Sequence, residues 1–296
     1  MMNCIVNYNG IMHKAATVKN GCGGEGEKRR LGNFNSVFSV VNKSNNRRLS
    51  IINQLDKIIK IFPSPYELAE KYADEMVYMI NESTKQKEAF TIALSGGSTP
   101  ELLFTVLSGY SAKSVSWQNV HFFWGDERCV SPDNTESNYG MTFRKLLNKI
   151  KIPSLNIHRV IGENDPDKEA SRYSEEILLY TRQRDKIPSF DLVLLGLGED
   201  GHIASIFPGH LSLFNSDKIC EVAVHPATMQ KRITLTGRVI NNAAAVTFLV
   251  SGLKKANVVE NIFNKDPLAL NYPASYIVPV HGSLSWYIDQ EAGSLL

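Results

Sequence analysis

Long apolar runs are missing from this chain of 296 residues. None approaches the ~20 residues a membrane-spanning helix needs, so neither a membrane anchor nor a membrane partner is expected. Cysteine is scarce: Cys4, Cys22, Cys129 and Cys220 lie far apart and form no C-x-x-C pair. That excludes a disulfide framework and fits free thiols in a reducing, cytoplasmic setting. A strong excess of either charge is also lacking, since the formal net charge is +2. It is unevenly placed. Residues 1–50 hold eight Lys/Arg and two Glu, while the other 246 hold 24 basic and 28 acidic residues, a net of −4. Such a mildly acidic body is not built to bind nucleic acid. Histidine and cysteine do not cluster at ligand spacing, His202 and His210 having no companions, so no metal and no cofactor are expected.

The chain that remains is long enough, at 43% hydrophobic residues, for one large domain or two small ones with ample core. Residues 1–59 read as a disordered leader, rich in Asn, Gly, Ser and basic residues through residue 50 and without sustained periodicity. A basic, acid-poor leader also has the composition of an organelle transit peptide. An early translation start or a dispensable tail is the preferred reading, with a cytoplasmic location. No linker divides residues 60–296, which are expected to form a single domain.

Within that domain strands and helices alternate. Ser64-Pro65 caps and opens a helix with Tyr66, Ala69, Tyr72, Ala73, Met76, Val77 and Ile80 on one face. The unbroken apolar run at 192–195 reads as a strand buried on both faces, and the mainly apolar segments at 90–95, 120–124 and 246–250 read as further strands. Further strands are expected at 156–161, 219–224, 232–236 and 276–280. Helices are expected at 102–107, 139–147, 167–184, 239–244, 256–263 and 284–288. The alternation predicts an α/β fold with a mostly parallel sheet flanked by helices.

Three of these strands end in chemistry. Phe90–Leu94 runs into Ser95-Gly96-Gly97-Ser98-Thr99-Pro100. Pro100 suits a first helical position and Ser98 or Thr99 a cap, and such a helix start offers free N–H groups to an anion. The loop lacks a Walker lysine, so a nucleoside triphosphate is not implied, and a plain tight turn is the alternative. Val120–Trp124 ends in Gly125-Asp126-Glu127-Arg128, where Arg128 can hold a phosphate or carboxylate, or else close a structural ion pair. Leu192–Leu195 ends in Gly196-Leu197-Gly198-Glu199-Asp200-Gly201-His202. At the carboxyl edge of a parallel sheet a histidine beside carboxylates is a candidate general base. The Gly196-x-Gly198-x-x-Gly201 spacing matches a dinucleotide fingerprint only formally, because Pro208-Gly209 ends any helix within seven residues. Ser205 lacks a nucleophile elbow, and His225 and His281 read as structural.

Taken in order, Ser95–Pro100, Phe123–Arg128 with Ser137-Asn138-Tyr139, Gly196–His202 through Ser205–Gly209, and Arg232–Thr236 resemble the 6-phosphogluconolactonase family over about residues 60–290. The resemblance implies the Rossmann-like fold shared with glucosamine-6-phosphate deaminases. It also implies metal-free hydrolysis of 6-phosphoglucono-1,5-lactone in the oxidative pentose phosphate pathway. The deaminases are similar as far as His-Ile-Ala but continue Phe-Asn-Glu-Pro-Gly, with the Glu assisting the histidine. Here Ser205-Ile206-Phe207 stands instead, so an apolar ring replaces that carboxylate. Ile203 departs from the Thr common in lactonases. On this resemblance the phosphate sits on Ser95, Gly96, Gly97, Ser98 and Thr99, closed by Arg232 and by Lys255 or its neighbour Lys254. His202 is the base, Asp200 orients it or the water, and Arg128 stabilises the oxyanion with backbone N–H groups near Gly97 or Gly201. Asp126 is placed with the substrate-binding residues, though which of Asp126, Glu127 and Asp200 touches substrate is open. All of this requires His202 to lie within a sugar's length of the 95–99 turn.

Overall fold

In a computed structural model of the chain, residues 5–6, 58–85, 89–110 and 114–296 are described. Most of the expected leader lies outside them. Its described pair, β1 (Ile5–Val6), runs antiparallel to β2 (Ile58–Phe62). The elements then run as α1 (Pro65–Thr84), β3 (Phe90–Leu94), α2 (Ser98–Leu107), β4 (Val120–Trp124), β5 (Asp126–Arg128) and α3 (Asn138–Lys145). After them come α4 (Pro166–Tyr180), β6 (Arg182–Arg184), β7 (Ile187–Ser189), β8 (Leu192–Leu195), β9 (Cys220–Val224) and β10 (Lys231–Leu235). The chain ends with α5 (Gly237–Asn241), β11 (Ala245–Val250), α6 (Ala256–Asn264) and β12 (Ser283–Asp289).

The main sheet has the order β1-β2-β12-β11-β8-β3-β4, parallel throughout except at β1. Its inner strands β3, β8 and β11 are buried on both faces because both are covered. Leu192 and Leu194 enter a core with α1, α2 and α3, while Val193 and Leu195 enter a second core with α4, α5 and α6. Ile92 and Leu94 against Ala93 repeat that alternation. From β3 the chain winds outward to β4, but from β8 it winds the other way to β11 and β12. The carboxyl ends of β3 and β8 therefore flank the place where the winding reverses, and at such a switch point the two departing loops leave a crevice.

A second sheet, β5-β10-β9, is antiparallel and caps one side of this crevice. Gly125 is the joint: its N–H donates to Leu94 O at 2.7 Å, and its carbonyl accepts from Leu235 N at 2.8 Å. One strand thus leaves the main sheet and enters the small one within a residue.

Several expected elements differ. The helix at 167–184 stops at Tyr180, where the Thr181 hydroxyl bonds Ile177 O at 2.6 Å. The β6–β7 hairpin comes next, turning at Asp185 and Lys186, both with positive φ. Residues 156–161 form no strand. A 3-10 turn at Ser154–Asn156 and one bridge, Phe122 to Ile157, replace it. The expected strand at 276–280 is irregular, and the expected helix at 284–288 is β12, inserted between β2 and β11. Trp286 and Ile288 face one core and Tyr287 the other, a period of two that a short apolar run does not reveal.

Candidate active site

The crevice at the switch point is a cleft open to solvent. Ser95, Gly96, Gly97, Ser98, Thr99, Asp126, Arg128, His202, Arg232 and Lys255 all line it. Its two principal loops touch directly, Gly196 N donating to Ser95 Oγ at 3.3 Å. Residue 202 and the 95–99 turn thus share one pocket.

The anion side is built by α2. Its cap is Gly97, not Ser98 or Thr99, and Pro100 falls inside the first turn. Gly97 has φ 101°, a conformation that side chains resist and that turns the chain from strand to helix in one residue. No side chain caps the helix, so the first amides face the cleft with their partial positive charge. Thr99 Oγ1 and Ser251 Oγ, 2.7 Å apart, tie this helix start to the end of β11.

Three cations converge on the same side. Arg232 lies directly opposite Arg128 in the β5–β10 ladder. Like charges opposite one another are unfavourable, and among the described residues neither forms an ion pair. Burial, with the Arg128 charge second, pushes the Arg232 guanidinium below its usual range. Burial likewise lowers Lys255, which has no carboxylate within ion-pair distance among the described residues. Lys254 points elsewhere, 3.7 Å from Glu199 and largely exposed. Arg128 Nη1 donates to Glu136 O, and its Nε is buried without a partner. An uncompensated cluster of this kind is costly unless an anion occupies it.

The three carboxylates have separate duties. Glu127, 2% exposed, accepts from Arg128 N, Asn138 N, Tyr139 N and Ser137 Oγ and so holds the start of α3. Burial pushes its carboxyl up despite those donors. Asp126 lines the cleft and accepts from Ser205 Oγ at 2.6 Å through Oδ2, while among the described residues Oδ1 meets only Asn138 Nδ2, at 3.5 Å. Asp200 does not line the cleft but stands behind His202, accepting from its Nδ1 at 2.6 Å and its backbone N at 3.1 Å. Burial would raise the Asp200 carboxyl, but the hydrogen bond and charge of His202 outweigh it and hold it at about 2. An ionised carboxylate only accepts, so Nδ1 carries a proton, and in the neutral ring it is Nε2 that holds the free lone pair. A Cβ on Gly198 would stand 2.1 Å from Nδ1 and 2.4 Å from Asp200 Oδ1, so this pair requires glycine there.

Asn138 and Ser251 line the cleft without having been singled out from the sequence as site residues. Asn138 Nδ2 donates to Asp126 O at 2.9 Å, and its place in the Ser137-Asn138-Tyr139 motif was the available signal. Ser251 carried none. His225 and His281 lie outside the cleft lining: His225 Nδ1 accepts from Ala227 N and Thr228 N in the β9–β10 turn, and His281 meets Asp185 at 3.2 Å. Among the described residues no group of three or more His, Cys, Asp or Glu is arranged to hold a metal ion. No helix among them is long and apolar enough to cross a membrane.

Comparison with known proteins gives the family and the fold. Residues 63–286 match the family described as glucosamine-6-phosphate isomerases/6-phosphogluconolactonase. A 6-phosphogluconolactonase of Haemophilus influenzae is 40% identical over 238 residues, 79% of this chain and 98% of that protein. A chloroplastic 6-phosphogluconolactonase of Arabidopsis thaliana is 31% identical over 265 residues, 86% of this chain and 77% of that one. The solved 6-phosphogluconolactonase of Trypanosoma brucei superposes with a TM-score of 0.72 at 29% identity, covering 82% of this chain and 99% of its own.

Proposed function

Because the chain belongs to the glucosamine-6-phosphate isomerase/6-phosphogluconolactonase family, we propose that it hydrolyses 6-phospho-D-glucono-1,5-lactone to 6-phospho-D-gluconate in the oxidative pentose phosphate pathway. The observation that carries this reading is the single cleft holding an unpaired cation cluster, a bare helix start and a carboxylate-backed imidazole.

The 6-phosphate lies on the 95–99 loop between the α2 amides, Arg232 and Lys255. That anchorage brings the lactone carbonyl to His202. Nε2 takes a proton from water as the water oxygen bonds the carbonyl carbon, and Asp200 holds the imidazolium so formed. Arg128, with backbone N–H groups near Gly97 or Gly201, stabilises the oxyanion. As the ring C–O bond breaks, His202 returns the proton to the departing oxygen. Asp126 Oδ1 accepts from a sugar hydroxyl. No step calls for a metal, and prolonged treatment with EDTA is expected to leave turnover unchanged.

The deaminase alternative is disfavoured by Phe207. It is 1% exposed and stands 4.9 Å from the His202 ring, so no carboxylate serves the imidazole from that side. A binding-only sugar-phosphate sensor would use the same cleft without turnover. Fresh 6-phosphogluconolactone and glucosamine-6-phosphate, offered in parallel, separate the three. Acid release above the spontaneous rate supports the lactonase, ammonia the deaminase, and neither the sensor. The chain is placed in the cytoplasm. An organelle destination, such as the relative named chloroplastic has, would show as import of a fluorescent fusion to residues 1–57.

A further inference from the structure

His202 and Phe207 are the two ends of a short hairpin. Ile206 N donates to Ile203 O at 2.8 Å and Ile203 N to Ile206 O at 3.3 Å, with Ala204 at φ 45° in the bend. Ser205 pegs the bend from within the core: its N donates to Thr234 Oγ1 at 3.2 Å and its Oγ to Asp126 Oδ2 at 2.6 Å. Phe207 therefore has little freedom. Its ring meets the His202 ring at 4.9 Å, and the Arg232 guanidinium lies over it at 5.6 Å from the centroid. His225 packs edge-on at 5.0 Å.

A cation kept for substrate phosphate poses a problem of orientation. A carboxylate would fix the guanidinium but would also neutralise it and compete with the ligand. Arg232 has no such partner among the described residues, and its Nε donates to the neutral Gln230 Oε1 at 3.3 Å. An aromatic face attracts a guanidinium without cancelling its charge. His202 has a related need. Asp200 fixes its tautomer through one bond, but one bond leaves the ring free to swing about it. An apolar wall stops that motion without offering a second acceptor.

We propose that Phe207 is a positioning residue whose ring holds both the general base and the phosphate-binding arginine and so sets their separation. The proposal rests on the lactonase reading for its kinetic arm. It predicts a joint effect, because one side chain serves binding and chemistry together.

The test compares Phe207→Leu, Phe207→Tyr and Ile206→Val in the full chain. Ile206 is equally buried but faces only the core. With 6-phosphogluconolactone, Phe207→Leu should lower kcat, by up to about 10²-fold for a misplaced reacting group, and raise KM as well. Phe207→Tyr, which keeps the ring, should restore both toward wild type, and Ile206→Val should leave both near it. A folded Phe207→Leu protein with unaltered kcat and KM overturns the proposal, as does a loss no larger than that of Ile206→Val. Two readouts need no turnover: calorimetric binding of 6-phosphogluconate, and the ¹⁵N-histidine resonances of His202. Phe207→Leu should weaken the first and shift the second. If the wild type fails to hydrolyse the lactone, the functional reading falls, yet these two still decide, and no change in both rejects the role given to Phe207.

Discussion

Between Asp200 and His202 a 2.6 Å hydrogen bond divides the labour of the base: one ring nitrogen is committed, and in the neutral ring the other holds the free lone pair. His202→Ala should lower kcat by roughly 10²- to 10⁴-fold, the range for loss of a general base, measured against the spontaneous rate. Asp200, held at about 2, stays ionised throughout the working range. Asp200→Asn removes the charge that holds the imidazolium formed in the transition state, so kcat should fall while KM for the lactone stays near wild type. An unchanged kcat would show that the carboxylate does not act through the imidazole. Arg232→Ala should raise KM for the phosphorylated lactone far more than for δ-gluconolactone. Equal losses on the two would detach Arg232 from the phosphate.

At the scale of elements, the site is made by strand ends and by the loops that leave them. β3, β4 and β8 were legible because each is a short, mainly apolar segment, and each runs straight into a motif loop. The loops were legible for the same reason: glycines beside Asp, Arg or His at a strand terminus leave few other uses. β12 was not, since Leu284–Ile288 fits a helix or a strand by composition, and its neighbours β2 and β11 decided the matter. Nor did the sequence distinguish the roles of Asp126 and Glu127, adjacent acids that one pleat sends in opposite directions. One reaches Ser205 and the cleft, the other the start of α3. Gly198→Ala tests the loop as a unit. With the His202 ring and Asp200 Oδ1 nearest the added methyl, kcat should drop sharply while the melting temperature changes little. A normal kcat would show that the pair can shift without loss.

Across the whole molecule, every described element except β1 lies between residues 58 and 296. A chain begun at Ile58 keeps β2 and every described element after it. A chain begun at Ser64 lacks β2, which pairs with β12 over five residues, and should melt at a lower temperature. Equal melting of the two would mean that β2 adds nothing to the sheet.

The pairing of β2 with β12 carries one more implication. β2 finds its parallel neighbour β12 only after most of the intervening domain has been made. Until then its inner edge stands open, and an open edge invites other chains. A premature stop between His202 and Ser283 would release a polypeptide that already carries the 95–99 loop and the histidine, yet is fit mainly to aggregate.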